Sequence, residues 1–115
     1  MKARILHNPD CSTSRAVLEM IRAAGIEPEI VAYLETPPTR EELVAMLVAM
    51  EASPRDILRA KEPLAVERGL ADPTLSDRDL LDALLENPVL IERPIVITEK
   101  GVRLCRPKER VLDIL

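Results

Sequence analysis

The feature that most constrains the fold is a strand, a helix and a second strand in immediate succession at the start of the chain. Residues 3–7 and 29–33 have the composition of short strands. Between them, residues 12–24 carry apolar side chains at helical spacing, namely Val17, Met20, Ile21 and Ala24. Two strands joined through a helix in this way lie parallel, with a right-handed crossover. The opening of the chain therefore predicts an α/β fold.

The middle of the chain predicts helices. Thr39 with Glu42 has the pattern of a capping box in front of an apolar run, and so does Ser76 with Asp79. Shorter helical segments are predicted from Ser53-Pro54 to about Arg59 and from Pro63 to Arg68, and the last helix ends at Asn87-Pro88. We therefore expect a helical block over about residues 39–87.

The C-terminal part returns to strands. Residues 95–98 and 102–105 are apolar and are separated by Glu99-Lys100-Gly101, which predicts a hairpin. Pro107 suits the first turn of a last short helix. A βαβ unit followed by a hairpin and a helix is the thioredoxin arrangement. We predict a single thioredoxin-like domain over residues 1–115, with the helical insert at about 39–87.

Charge and composition exclude several classes of protein. The formal net charge is −4 and the pI is about 5.1, so no concentrated basic surface is expected and a nucleic-acid binder is disfavoured. No apolar run approaches the roughly 20 residues that a membrane span needs. The two cysteines form neither a disulfide framework nor a metal-ligand set. We expect a cytoplasmic protein in a reducing compartment, with no metal site and no membrane contact.

Cys11 is the leading candidate for a reactive group. It follows the first strand and the turn at Asn8-Pro9, and it stands where the first helix begins. Unpaired amide N–H groups and the positive end of the helix dipole stabilise a thiolate there and lower the pKa of the thiol. The same N–H groups bind oxyanions. This segment therefore predicts thiol chemistry on a phosphate-shaped anion.

The other cysteine is expected to be structural. Cys105 lies in an apolar strand, where a free cysteine behaves as a small buried hydrophobe. The position three residues after Cys11 holds Ser14, so no Cys-x-x-Cys disulfide can form. A catalytic cycle at Cys11 would thus use one protein thiol.

Two arginines are candidates for anion contact. Arg93 and Arg106 each directly precede a proline at the edge of the predicted hairpin, which restricts the backbone and aims both guanidinium groups. In the thioredoxin arrangement the strand after the insert begins with a cis-proline beside the cysteine. We therefore predict a cis bond between Arg93 and Pro94.

Four segments carry a family resemblance. They are residues 7–15 (HNPDCSTSR), 33–39 (YLETPPT), 93–96 (RPIV) and 104–107 (LCRP). Taken together and in this order, with a helical insert, they resemble the glutaredoxin-dependent arsenate reductases. The likeness covers essentially the whole chain.

The resemblance implies a mechanism and a set of site residues. Cys11 stands where the family has the nucleophile that attacks arsenate and forms a cysteine–arsenate adduct. Glutathione and then glutaredoxin complete the reduction in that family, and no tightly bound cofactor is implied. Three arginines surround the oxyanion and two further residues tune the thiol, at positions that correspond here to Arg59, Arg93 and Arg106, and to His7 and Ser14.

Two other functions remain open at this stage. One is a thiol-disulfide or deglutathionylating oxidoreductase on the same scaffold, and the other is a non-enzymatic, redox-linked regulator of the same family. Such regulators generally use a Cys-x-x-Cys pair, which this chain lacks because Ser14 replaces the second cysteine.

Overall fold

The computed structural model describes all residues from Met1 to Leu115 and groups them into two compact units. The first unit consists of residues 1–36 together with 93–115, and the second consists of residues 37–92. The first contains the sheet and is called the sheet unit. The second is largely helical and is called the helical unit. No helix in either is long and apolar enough to cross a membrane.

The sheet unit is built on four strands in the order β2-β1-β3-β4. They are β1 (Ala3–Leu6), β2 (Glu29–Val31), β3 (Ile95–Thr98) and β4 (Gly101–Leu104). Strands β1 and β2 are parallel, whereas β3 is antiparallel to both β1 and β4. This order and these directions are those of a thioredoxin-like sheet, so the predicted fold class is confirmed.

One face of this sheet is covered by two helices. Helix α1 (Ser12–Ala23) connects β1 to β2, and a 3-10 helix (Lys108–Ile114) follows β4. Their apolar side chains form one core with the sheet: Ala3, Ile5, Val17, Leu18, Ile21, Val96, Cys105, Val111 and Ile114. Helix α1 is amphipathic, and its buried side chains recur at helical spacing. The strand–helix–strand prediction is confirmed, because α1 joins two strands that pair in parallel.

The helical unit contains four segments longer than a single turn. They are α2 (Arg40–Met50), a 3-10 helix (Pro54–Ile57), α3 (Pro63–Glu67) and α4 (Asp77–Glu86). Both predicted capping boxes form, at Thr39 with Glu42 and at Ser76 with Asp79. A 3-10 turn (Pro88–Leu90) follows α4. The unit has its own buried side chains, which include Leu43, Ile57, Leu80, Leu84 and Leu90.

Several element bounds differ from the sequence-based ones. Strand β2 ends at Val31 because the Tyr33 N–H turns back to donate to the Val31 carbonyl at 2.9 Å. The segment that begins at Pro54 leaves helical geometry before Leu58, which forms a bridge with Ile91 instead. The Arg93-Pro94 bond is cis, as predicted, and the Arg106-Pro107 bond is also cis.

Two isoleucines in register test how much the sheet core contributes to stability. Ile5 on β1 is fully buried, whereas its neighbour Ile30 on β2 is 44% exposed. We expect Ile5→Ala to lower the free energy of unfolding by about 2–5 kcal/mol through the cavity it leaves. Ile30→Ala should cost less than about 1 kcal/mol. Urea denaturation followed by circular dichroism measures both, and equal losses would contradict this description of the core.

Candidate active site

The sheet brings four chain segments together at one edge. Leu6 pairs with Val31 on one side and with Ile95 on the other, and Ile95 pairs with Leu104. The chain leaves β1, β2 and β4, and enters β3, at this edge. The residues just beyond these strand ends therefore meet: His7 to Cys11, Tyr33, Arg93 with Pro94, and Cys105 with Arg106.

A tight turn places Cys11 at this edge. The Asn8 side chain accepts a hydrogen bond from the Asp10 N–H at 2.9 Å, and the Asn8 carbonyl accepts one from the Cys11 N–H at 3.1 Å. These bonds fold the chain back so that Cys11 becomes the N-cap of α1, with extended backbone angles. Serine, threonine, aspartate or asparagine is the usual residue at such a position. In this protein the N-cap is Cys11, so a sulfur atom takes the place of the usual side-chain oxygen.

The surroundings of Cys11 favour the thiolate. Burial raises the pKa of the thiol, but the Ser14 N–H, the Arg93 guanidinium and the Thr13 N–H more than offset it, and the net pKa lies below the ordinary value. The first turn of α1 holds no acidic residue that would oppose the negative charge. Cys11 therefore combines a nucleophilic sulfur with an anion-stabilising helix end.

His7 and Ser14 form a buried pair next to Cys11. The His7 Nδ1 lies 2.6 Å from the Ser14 Oγ, which also accepts a hydrogen bond from the Asn8 N–H at 3.1 Å. Burial and the positive charges of Arg15 and Arg22 lower the pKa of His7, which favours the neutral imidazole. The pair joins the end of β1 to the first turn of α1. It thereby fixes the backbone N–H groups that face Cys11.

Both hairpin arginines lie at the thiol. The Arg106 Nη1 is 3.9 Å from the Cys11 Sγ and donates to the Arg93 carbonyl at 3.0 Å. The Arg93 side chain lowers the pKa of Cys11 through both a hydrogen bond and its charge. The Arg93 Nε is buried and has no hydrogen-bond partner. The structure thus brings Arg93 and Arg106 to one sulfur, as the prolines beside them predict.

Arg59 belongs to the helical unit. Its backbone N–H donates to the Leu90 carbonyl at 2.8 Å, and its Nη1 lies 3.4 Å from a carboxylate oxygen of Glu62. Both side chains of this ion pair are partly buried. Its assignment as an anion-binding residue stays a prediction from the resemblance.

Sequence reasoning missed Tyr33 and the Asn8 side chain. The Tyr33 side chain is fully buried, and its hydroxyl lies close to the Arg93 guanidinium and the Asn8 amide. The position of Tyr33 near Cys11 was predictable, because Tyr33 follows β2, Cys11 follows β1, and parallel strands end at the same edge of a sheet. The direction of its ring was not predictable, because it depends on the turn back to Val31.

Cys105 is part of the core, as predicted. It is fully buried, and its thiol donates a weak hydrogen bond to the Arg103 carbonyl, with the two atoms 3.6 Å apart. Burial raises the pKa of Cys105 to about 12. Cys105 is therefore protonated and inert under conditions in which Cys11 is ionised.

Comparisons with known proteins agree with this arrangement. The model of the ArsC family matches residues 6–114. An arsenate reductase of Rhizobium meliloti (strain 1021) is 55% identical over 115 residues, which are 100% of this chain and 82% of that protein. An arsenate reductase of Escherichia coli (strain K12) is 54% identical over 111 residues, which are 96% of this chain and 79% of that protein. The solved arsenate reductase from Vibrio cholerae superposes with a TM-score of 0.94 at 44% identity, covering 100% of this chain and 98% of that one.

The contrast between the two cysteines is directly measurable. In the native protein we expect iodoacetamide to modify Cys11 while Cys105 stays unmodified until the chain unfolds, because only the thiolate reacts and Cys11 keeps 9% of its surface exposed whereas Cys105 keeps none. The midpoint of the pH–rate profile should lie lower for native Cys11 than for the urea-unfolded chain. Mass spectrometry of quenched samples gives both rates.

A charge-removing variant tests the cause of the Cys11 shift. Arg93→Gln should move the Cys11 midpoint to higher pH, because a hydrogen bond and a positive charge that stabilise the thiolate are lost. Arg22→Gln is the matched control, since Arg22 pairs with Glu19 and Glu27 at the other end of α1. An unchanged midpoint in Arg93→Gln would contradict the role of Arg93.

Proposed function

The chain belongs to the ArsC family, and on that premise we propose that it reduces arsenate to arsenite through a covalent Cys11–arsenate intermediate. The observation that carries the proposal is the meeting of one low-pKa thiol with two guanidinium groups at the N-terminus of α1. Thiolate and oxyanion repel each other in water. Arg93 and Arg106 neutralise that repulsion and leave the sulfur free to attack.

The first step joins sulfur to arsenic. The Cys11 thiolate attacks the arsenic(V) atom, and one arsenate oxygen leaves as water after taking up protons. The resulting S–As bond holds the remaining oxygens at the helix end, where backbone N–H groups favour negative charge. Arg106 and Arg93 stay beside the adduct. Arg59 is included as a third ligand on the strength of the family resemblance.

Reduction follows when a second thiol arrives. A glutathione thiolate attacks the Cys11 sulfur and forms an S–S bond, and the S–As bond breaks with its electron pair on arsenic. Arsenic(V) becomes arsenic(III) and leaves as arsenite, while two thiols are oxidised to one mixed disulfide. Glutaredoxin then attacks the glutathione sulfur and releases the Cys11 thiolate. Glutathione thus serves as co-substrate and glutaredoxin as partner, and the cycle needs no bound cofactor.

His7 and Ser14 are assigned a supporting part. Ser14 supplies the backbone N–H that lowers the pKa of Cys11, and its hydroxyl contacts His7. The pair therefore tunes the thiol through the position of the helix end. A direct contact between His7 and the oxyanion is not needed for this role.

Arsenate turnover in a coupled assay tests the proposal. With glutathione, glutaredoxin, glutathione reductase and NADPH present, we expect arsenate-dependent NADPH oxidation that Cys11→Ser abolishes. Cys105→Ala should keep the activity, because its thiol is buried and protonated. Omission of glutathione or of glutaredoxin, one at a time, should stop turnover. Full activity of Cys11→Ser would refute the covalent route.

The same single thiol also suits deglutathionylation, and arginine variants separate the two functions. Arg93→Ala and Arg106→Ala should each reduce arsenate turnover by about 10²–10³-fold if the guanidinium groups hold the oxyanion during attack. Reduction of a glutathione mixed disulfide without arsenate needs no oxyanion site. If the wild type does not turn over arsenate, and both variants keep a disulfide reduction that Cys11→Ser loses, the second function is favoured.

Arg59 has its own control. Arg59→Gln should weaken arsenate turnover, whereas Arg68→Gln removes a guanidinium that pairs with Glu86 on the surface of the same unit and should have no effect. Equal rates for the two variants would remove Arg59 from the proposed site. Steady-state rates at several arsenate concentrations give the comparison.

A further inference from the structure

Two polar atoms of the candidate active site are buried without a hydrogen-bond partner. They are the Tyr33 hydroxyl oxygen and the Arg93 Nε. Both belong to the sheet unit, and Tyr33 is fully buried. A buried polar group that stays unpaired lowers the stability of the folded protein, so such groups are rare. Their occurrence as neighbours beside Cys11 indicates that something else satisfies them.

The neighbours of Tyr33 determine what kind of partner is missing. The Arg93 guanidinium and the Asn8 side chain both approach the hydroxyl oxygen without completing a well-aligned hydrogen bond. A guanidinium has only donors. The influence of Asn8 lowers the pKa of Tyr33, as a donor to the hydroxyl oxygen does, and no hydrogen bond from the hydroxyl to Asn8 is formed. The hydroxyl proton therefore lacks an acceptor.

Tyr33 remains a neutral donor across the working pH range. Burial raises the pKa of the phenol, and the negative charge of the nearby Cys11 thiolate acts in the same direction, so the lowering effects of Arg93 and Asn8 do not prevail. The Tyr33 side chain thus keeps its proton beside an ionised sulfur. An unpaired N–H of Arg93 stands next to it. Two neighbouring donors that have no hydrogen-bond partner define a place for an oxygen that carries negative charge.

We propose that the Tyr33 hydroxyl donates a hydrogen bond to an oxygen of the oxyanion that Arg93 holds beside Cys11. This inference rests on the proposed function and adds to it a neutral ligand, which family membership alone does not supply. On binding, both unpaired donors acquire an acceptor at once. The free energy lost by burying them in the anion-free protein is then recovered in the complex. Tyr33 takes part in binding, and no proton or electron passes through it.

Tyr33→Phe tests the proposal because it removes only the oxygen atom. In the anion-free protein we expect a melting temperature equal to or above that of the wild type, since an unpaired buried group has been removed. The KM for arsenate should rise by about tenfold or more, the effect of losing one hydrogen bond to a charged acceptor, with a smaller fall in kcat. Binding of inorganic sulfate, measured by calorimetry, should weaken by a similar factor.

Thr98→Val is the matched control for loss of a hydroxyl. The Thr98 Oγ1 lies in the same unit and donates to the Ile114 carbonyl at 2.7 Å. This variant should lower the melting temperature and leave the KM for arsenate unchanged. A merely structural Tyr33 would behave in the same way. A fall in melting temperature of Tyr33→Phe with an unchanged KM would therefore overturn the inference.

A probe on the unmutated sequence covers the case in which Tyr33→Phe fails to fold. Tyr33 is the only tyrosine, so incorporation of meta-fluorotyrosine labels this site alone. Addition of sulfate should shift the fluorine NMR signal, and Arg93→Gln should abolish that shift. No shift at sulfate concentrations that saturate the protein would overturn the inference.

The outcomes also separate this inference from the proposed function. If the wild type neither binds sulfate nor turns over arsenate, the proposed function fails, and the ligand role of Tyr33 fails with it. If the wild type does both and Tyr33→Phe has the same KM, only the role of Tyr33 is wrong.

Discussion

The turn between β1 and α1 is the constraint on which the rest of the candidate site depends. Asn8 accepts two backbone hydrogen bonds, from Asp10 and from Cys11, and these end the strand and start the helix within a few residues. Without these two hydrogen bonds, α1 would not begin at Cys11, directly beyond the end of β1. The thiol would then lose the N–H groups of Thr13 and Ser14, which compensate for its burial.

The two cysteines show how the same side chain is set to opposite states within one unit. Burial raises the pKa of both thiols. At Cys11 a helix end and a guanidinium outweigh it. At Cys105 only weaker charge effects oppose burial, and the pKa rises to about 12. The difference arises from position in the fold. Cys105 lies in the apolar core just after β4, whereas Cys11 lies at the N-terminus of α1, just beyond the end of β1.

Much of this arrangement was predictable from local sequence. The strand–helix–strand opening, the hairpin, both capping boxes and the cis bond at Arg93-Pro94 each follow from a short pattern. Arg93 and Arg106 were predictable because prolines fix the backbone beside them. The roles of Tyr33 and Asn8 were not, because a ring direction and a side-chain contact depend on tertiary packing. Strand ends were also misplaced, at Tyr33 for example, because a single backbone hydrogen bond decides them.

The isolation of Cys105 has a consequence for any redox cycle at Cys11. Its sulfur is enclosed by the apolar side chains that join α1, the sheet and the last 3-10 helix, so Cys105 could meet the other cysteine only if that core opened. The folded chain consequently has no second thiol that can form a disulfide with Cys11. A two-electron reduction at Cys11 would therefore have to draw its second thiol from outside the chain, and its rate would depend on the concentration of that thiol.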